Sequence, residues 1–111
     1  MEIGRGSVVL MVAAGDIGRP RPGTVVQSNE LGDATVTVLV CPMTSDIDPG
    51  RLLRPVVEPT TDNGLLVRSQ VMTDKVMPMR RDWIRRVLGQ LDADTTGQLD
   101  RALLVVLGLA R

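Results

Sequence analysis

The sequence predicts a mainly β fold of the α+β class, a small antiparallel barrel carrying a C-terminal helix, and three observations lead there. Short runs rich in Val and Thr are punctuated by Gly, Pro and Asn. Apolar residues take up a helical period only near the end of the chain. No alternation of strand and helix suggests a parallel sheet. The 111 residues suit one domain, 1–111, whose core must be aliphatic because Trp83 is the only aromatic residue.

Residues 7–14 (SVVLMVAA) read as the first strand, being apolar, β-branched and too short for a helix. Residues 15–22 (GDIGRPRP) form a loop whose last proline can open the second strand, continued by residues 24–27. After a turn at 28–33, residues 34–41 (ATVTVLVC) carry the clearest alternation in the chain and predict a central strand that Pro42 and the polar stretch to Gly50 break. Residues 52–58 resume an extended pattern, with Pro55 arguing for an edge. Asn63-Gly64 predicts a tight hairpin turn into residues 65–71. Leu99, Ala102, Leu103, Val106 and Leu107 then fall on one helical face, with Asp92 or Asp94 as the cap and Gly108 as the stop. Leu104 and Val105 widen that face, which implies deep burial or an interface.

Composition removes several chemistries. Thirteen basic residues balance thirteen acidic ones, so any nucleic-acid contact must be local rather than driven by a global field. Twelve of the basic residues are Arg, Lys75 being the exception; that supplies planar phosphate-binding forks but equally fits a coding bias. With no His, neither a Ser/His/Asp triad nor a His-pair ribonuclease mechanism is available. One cysteine, Cys41, precludes an intramolecular disulfide and reads as a buried thiol. With no His beside it, no ordinary zinc site remains. Asp46 and Asp48 share a loop and read as solvated carboxylates rather than a Mg²⁺ pair. No phosphate-binding glycine loop of the nucleotide hydrolases is present, and no cofactor is expected. The sequence has no signal-peptide pattern or membrane-length apolar stretch, which makes the cytoplasm the expected compartment. What is left is Arg and hydroxyl groups at strand ends, a set able to stabilise a pentavalent phosphate while an RNA 2′-hydroxyl attacks.

The ordered segments GRGSVVLMV, RPGTVVQSNEL, TVTVLVCPMTSDI, NGLLVRSQVMTDKV and VLGQLD, followed by a helix ending in LVVLGLA, resemble the MazF/PemK toxin family over nearly the whole chain. The most specific part is an Arg-Pro strand start paired with a Thr-Ser strand end. The resemblance implies an SH3-like barrel that forms a homodimer, cleaves single-stranded RNA without a metal, and is held inactive by a cognate antitoxin. It places the family's catalytic Arg on Arg21 and its catalytic Thr on Thr44. Arg21 would then stabilise the phosphorane and shuttle a proton, Thr44 would hold the scissile phosphate, and Ser45 would extend that contact. Arg19 is the substitute if the loop register differs.

Ser69 and Gln70 match the strand that faces the substrate groove, either as readers of base edges or as an exposed strand face. Many relatives carry a longer first loop with a Ser-Glu-Gln-Gly-like stretch. Here Asp16 is the only acidic residue available to replace that Glu, which leaves the target open among mRNA, tRNA and rRNA. Arg80, Arg81, Arg85 and Arg86 surround Trp83; a turn or short helix with a buried Trp and solvated arginines is favoured over a phosphate grip with Trp83 stacked on a base, or an antitoxin contact. Two other readings stand beside the ribonuclease: a gyrase poison resembling CcdB, which depends on a C-terminal Trp-Gly-Ile this chain lacks, and a silent antitoxin-binding module.

Overall fold

The computed structural model describes residues 2–12 and 19–110. Among them, strands β1 (Ser7–Met11), β2 (Arg21–Val25), β3 (Thr37–Thr44), β4 (Val56–Val57), β5 (Ser69–Val71), β6 (Met77–Arg80) and β7 (Ile84–Gln90) precede helix α1 (Ala93–Val106). They form a curled antiparallel sheet in the order β4-β5-β3-β2-β1-β7. β3 is the hub. One of its edges pairs with β2, while the other takes β6 along Thr37–Val40 and β5 along Met43–Thr44. Two partners on one edge bend the sheet toward a half-barrel.

Within β3 the alternation works as the sequence implies, with Val38 and Val40 buried and Thr37 and Leu39 exposed; Val36, expected on the buried face, precedes the strand and is exposed. The strand nevertheless runs through Pro42 to Thr44. The Pro42 carbonyl accepts from the Met72 amide, 2.9 Å, so the backbone polar groups at this position face the β5 side and not β2. The missing N–H therefore costs the β2 ladder nothing. Two aliphatic cores result, one on each side of the sheet. Val8, Met43, Val71, Leu99 and Leu103 fill the helix side. Val9, Met11, Val25, Val40, Met79 and Ile84 fill the other, with Trp83 packed against it. Cys41 is a free buried thiol, pushed up to about 12 by burial.

α1 starts where expected: the Asp92 carboxylate accepts from the Thr95 amide, 2.7 Å, which also lowers its pKa. It stops at Gly108, whose φ of 73° is left-handed. Leu99, Ala102 and Leu103 are buried, whereas Leu104, Val105, Leu107 and Leu109 stay exposed.

Several expected strand bounds need correction. β3 begins at Thr37, leaving residues 34–36 outside it, and of the extended stretch expected over 52–58 only Val56–Val57 is strand, because the Arg54 amide donates to the Arg51 carbonyl in a turn before it. Residues 65–68 are not strand, and Asn63-Gly64 is no two-residue hairpin turn; β4 and β5 do pair, but across the connection 58–68. Asn63 is buried and organises that connection, its side chain accepting from the Thr60 and Leu65 amides and donating to the Glu58 carbonyl. Gly64, at φ 69°, lets the loop lie against β7, where a Cβ would overlap the Leu88 carbonyl. β6 and β7 were not foreseen. They flank a short 3-10 turn, Arg81–Trp83, so the expected turn around Trp83 exists but continues into a strand.

The segment after Thr44 is clamped rather than loose. Gln70, 1% exposed, donates to the Asp48 and Arg54 carbonyls, 3.0 Å each, and accepts from the Asp48 amide, 2.9 Å. Arg54, with its side chain only 12% exposed, forks onto Asp74 at 2.7 and 2.9 Å. That fork is the main cause holding the Asp74 carboxyl at about 2, below its ordinary 3.8.

Two predictions follow from this packing. Gly89→Ala would drive a Cβ into the Asp62 carbonyl; its expected cost is about 1–3 kcal/mol of unfolding free energy, measured by urea titration, and a wild-type midpoint would refute the close approach. Because the folded-state pKa of Asp74 is depressed, its stabilisation is complete above about 3.8 and fades as pH falls toward about 2. The stability gap between wild type and Asp74→Asn should therefore narrow across that window in acid unfolding curves, and a constant gap would contradict the fork.

Candidate active site

β2 begins and β3 ends at the same rim. Gly23, Thr24 and Val25 face Pro42, Cys41 and Val40. The pairing ends at Gly23 and Pro42; the same register continued two residues further would set Arg21 across from Thr44. Residues opposite one another in an antiparallel pair project to the same side. The Arg-Pro start of one strand and the Thr-Ser end of the next are thus brought to one rim by the pairing.

Arg19, Arg21, Thr44, Ser45 and Ser69 line one open groove of about 450 Å³, walled by Pro22, Met43 and Val67. Among the described residues no carboxylate lines it. In a protein of zero formal charge, the described lining of this groove thus carries two arginines. A groove of similar size near Ile3, Gln27 and Arg81 also holds Glu2 and Asp33, which suits a phosphate less well.

The hydroxyl of Thr44 is oriented by its own turn. Its oxygen accepts from the Asp46 amide at 3.0 Å, which leaves the O–H to donate outward. Thr44 is half-buried, while Arg21, Arg19 and Ser45 are exposed. Ser69 is 2% exposed, and its hydroxyl donates to the Val67 carbonyl at 3.0 Å. It touches the groove as part of the wall.

Gln70 departs from both sequence readings. It is neither an exposed strand residue nor available to base edges, because burial and three hydrogen bonds commit its amide to residues 48 and 54. As the cross-strand neighbour of Thr44, it fixes the loop that follows the hydroxyl. Asp16 lies outside the described residues.

Of the two loop aspartates Asp48 is committed locally: it accepts from the Gly50 amide, 3.0 Å, and lies 3.4 Å from Arg51. No group of three His, Cys, Asp or Glu residues suited to a metal occurs among the described residues.

The arginine cluster around Trp83 divides. Arg80 pairs with Asp82 and lies over the Trp83 ring, 5.5 Å from its centroid. Arg81 donates to Gly32 and Thr35 oxygens. Arg85 and Arg86 are exposed on β7. Sequence reasoning missed the clamp on the post-Thr44 loop, because Arg54 and Asp74 are twenty residues apart and nothing in their local patterns couples them.

No helix among the described residues is long and apolar enough to cross a membrane. Residues 4–107 match the sequence profile of the family described as "PemK-like, MazF-like toxin of type II toxin-antitoxin system". A Mycolicibacterium smegmatis protein named "Probable endoribonuclease MazF" is 38% identical over 107 residues, which cover 96% of this chain and 97% of that one. Among solved structures, a mycobacterial endoribonuclease in complex with its cognate antitoxin superposes with a TM-score of 0.83 at 21% identity, covering 99% of both chains. A MazE–MazF structure from Deinococcus radiodurans gives 0.81 at 20% identity, also over 99% of both. These two likenesses establish the fold, and the matches in sequence establish the kinship: this chain belongs to the PemK-like, MazF-like toxin family of type II toxin–antitoxin systems.

Proposed function

We propose that this chain is the toxin of a type II pair, an endoribonuclease that cleaves single-stranded RNA by in-line attack of the 2′-hydroxyl. The observation that carries the reading is the shared groove of Arg21 and Thr44. The 2′-oxygen bonds to phosphorus as the bond to the 5′-oxygen breaks, and the proton lost from the 2′-hydroxyl ends on the 5′-hydroxyl. The products are a 2′,3′-cyclic phosphate and a free 5′-hydroxyl. Arg21 carries the charge on the non-bridging oxygens, and Thr44 donates to the phosphate; Ser45 and Arg19 steady the flanking backbone. The chemistry asks for no metal, since a guanidinium supplies the charge a cation otherwise would. The family match favours this reading over a CcdB-like gyrase poison or a silent module. The target compartment is the cytoplasm, where RNA and a cognate antitoxin meet the toxin.

Arg21→Ala should cut cleavage of a long RNA by about 10²–10³-fold in EDTA, with an unchanged circular dichroism spectrum. Wild-type cleavage by the variant, or no cleavage by the parent protein without added metal, would reject the mechanism.

We also propose a homodimer. Its support is the uncovered apolar surface where Leu104, Leu107 and Leu109 of the C-terminal segment meet Leu39 in a groove of about 360 Å³. Light scattering at micromolar concentration should give twice the 12.0 kDa protomer mass, and a monomer mass would contradict it.

A further inference from the structure

A second groove opens beside the first. It has a volume of about 300 Å³ and shares Pro22, Val67 and Ser69 with the groove of Arg21 and Thr44, so the two grooves adjoin along that wall. Its walls are aliphatic, supplied by Leu10, Leu65, Leu66 and Leu88, and its one charged lining residue is Arg86. The sheet explains the placement. Leu10 of β1 faces Pro22 of β2 on one side and Arg86 of β7 on the other, so the three stand in one row and project from one face. Two inter-strand steps separate β2 from β7, about 10 Å, which an extended dinucleotide can span. Arg80, Arg81, Arg54 and Arg68 have partners, whereas Arg86 makes no ion pair or side-chain hydrogen bond among the described residues. At the lip, Leu66 is 94% and Val67 55% exposed.

We propose that this groove is a flanking-nucleotide subsite: a base next to the cleaved linkage lies on the aliphatic wall, and its phosphate is held by Arg86. The inference rests on the ribonuclease reading above. An RNA held at Arg21 and Thr44 meets this shared wall on one side, and the wall leads to a cation with no ion pair among the described residues. An apolar floor with a single guanidinium at its far end matches the alternation of base face and phosphate in single-stranded RNA. Arg85 is the extra residue at the register shift opposite Leu10 and Met11 and does not line the groove, so it serves as an internal control.

The test uses an RNA oligonucleotide containing the cleavage sequence mapped on a long transcript, with flanks shortened one nucleotide at a time from each end. Arg86→Gln should raise KM about 10-fold on the full-length oligonucleotide, with the loss in KM rather than kcat. It should also reduce the slope of log(kcat/KM) against log[salt] by about 0.7, the share of one single-strand phosphate contact. On wild type, removal of one particular flanking nucleotide should reproduce that rise, and Arg86→Gln should be indifferent to the same removal. Arg85→Gln should match wild type.

Arg21-dependent cleavage with wild-type KM and salt slope in Arg86→Gln would overturn the subsite while leaving the ribonuclease reading intact. Weaker binding of the co-expressed antitoxin by Arg86→Gln, with RNA kinetics unchanged, would overturn it in favour of a protein-docking role. A wild-type protein that cleaves no RNA would remove both readings together.

Discussion

Everything about the site depends on the pairing of β2 with β3. Their register brings an exposed guanidinium and a half-buried hydroxyl to one rim of the sheet. A slip of one residue would move every β3 side chain to the opposite face and take Thr44 with it. The register is protected by burial on both sides: Val25 and Val40 seat in one aliphatic core, Cys41 and Met43 in the other. Leaving that pairing would expose both cores at once, which at about 1.5–3 kcal/mol per large aliphatic side chain outweighs what any single surface contact could return.

The groove's far wall is held by polar rather than apolar means. Gln70 is buried with its amide oxygen and nitrogen both used, and Arg54 with Asp74 closes the same loop from its other end. Such a network rigidifies when complete and is costly when broken. It holds the turn whose Asp46 amide donates to the Thr44 hydroxyl; on the proposed mechanism this fixes the hydroxyl's aim before substrate arrives, which is where electrostatic stabilisation of a charged transition state draws its advantage. The pair of groove arginines is a local device in a protein with no net charge. Binding should accordingly depend on a few phosphate contacts, and the fit of the groove must discriminate against other polyanions.

Much of this was legible beforehand, for reasons that particular residues make plain. The Val/Thr alternation of β3 and the helical period from Leu99 each report burial on a single face, which is what periodicity measures. The edge position of β4 followed from Pro55. The proposed site residues Arg21 and Thr44 came from the family resemblance, and what the structure adds is that both line one groove; composition alone gave no reason to join positions 23 residues apart. β6 and β7 escaped because Pro78 sits in one, and because register shifts at Val8/Val9 and Leu10/Met11 along the β1 pairing break the strict period of two in the other. Asn63-Gly64 misled because its local turn preference is real, yet the asparagine's hydrogen bonds serve a longer loop docked on β7. Gln70 read either as a reader of bases or as an exposed strand residue, and only the tertiary fold reveals the loop carbonyls that occupy it.

The central claim is that the substrate's own ribose supplies the nucleophile while Arg21 and Thr44 hold the phosphate. Its most direct measurement places a single 2′-deoxy nucleotide immediately 5′ of the cleaved phosphate in an otherwise unmodified RNA. The account predicts that cleavage at that linkage stops while the oligonucleotide still competes for binding. Cleavage at the normal rate, or products ending in a 5′-phosphate, would mean that water attacks instead and that the proposed chemistry is wrong.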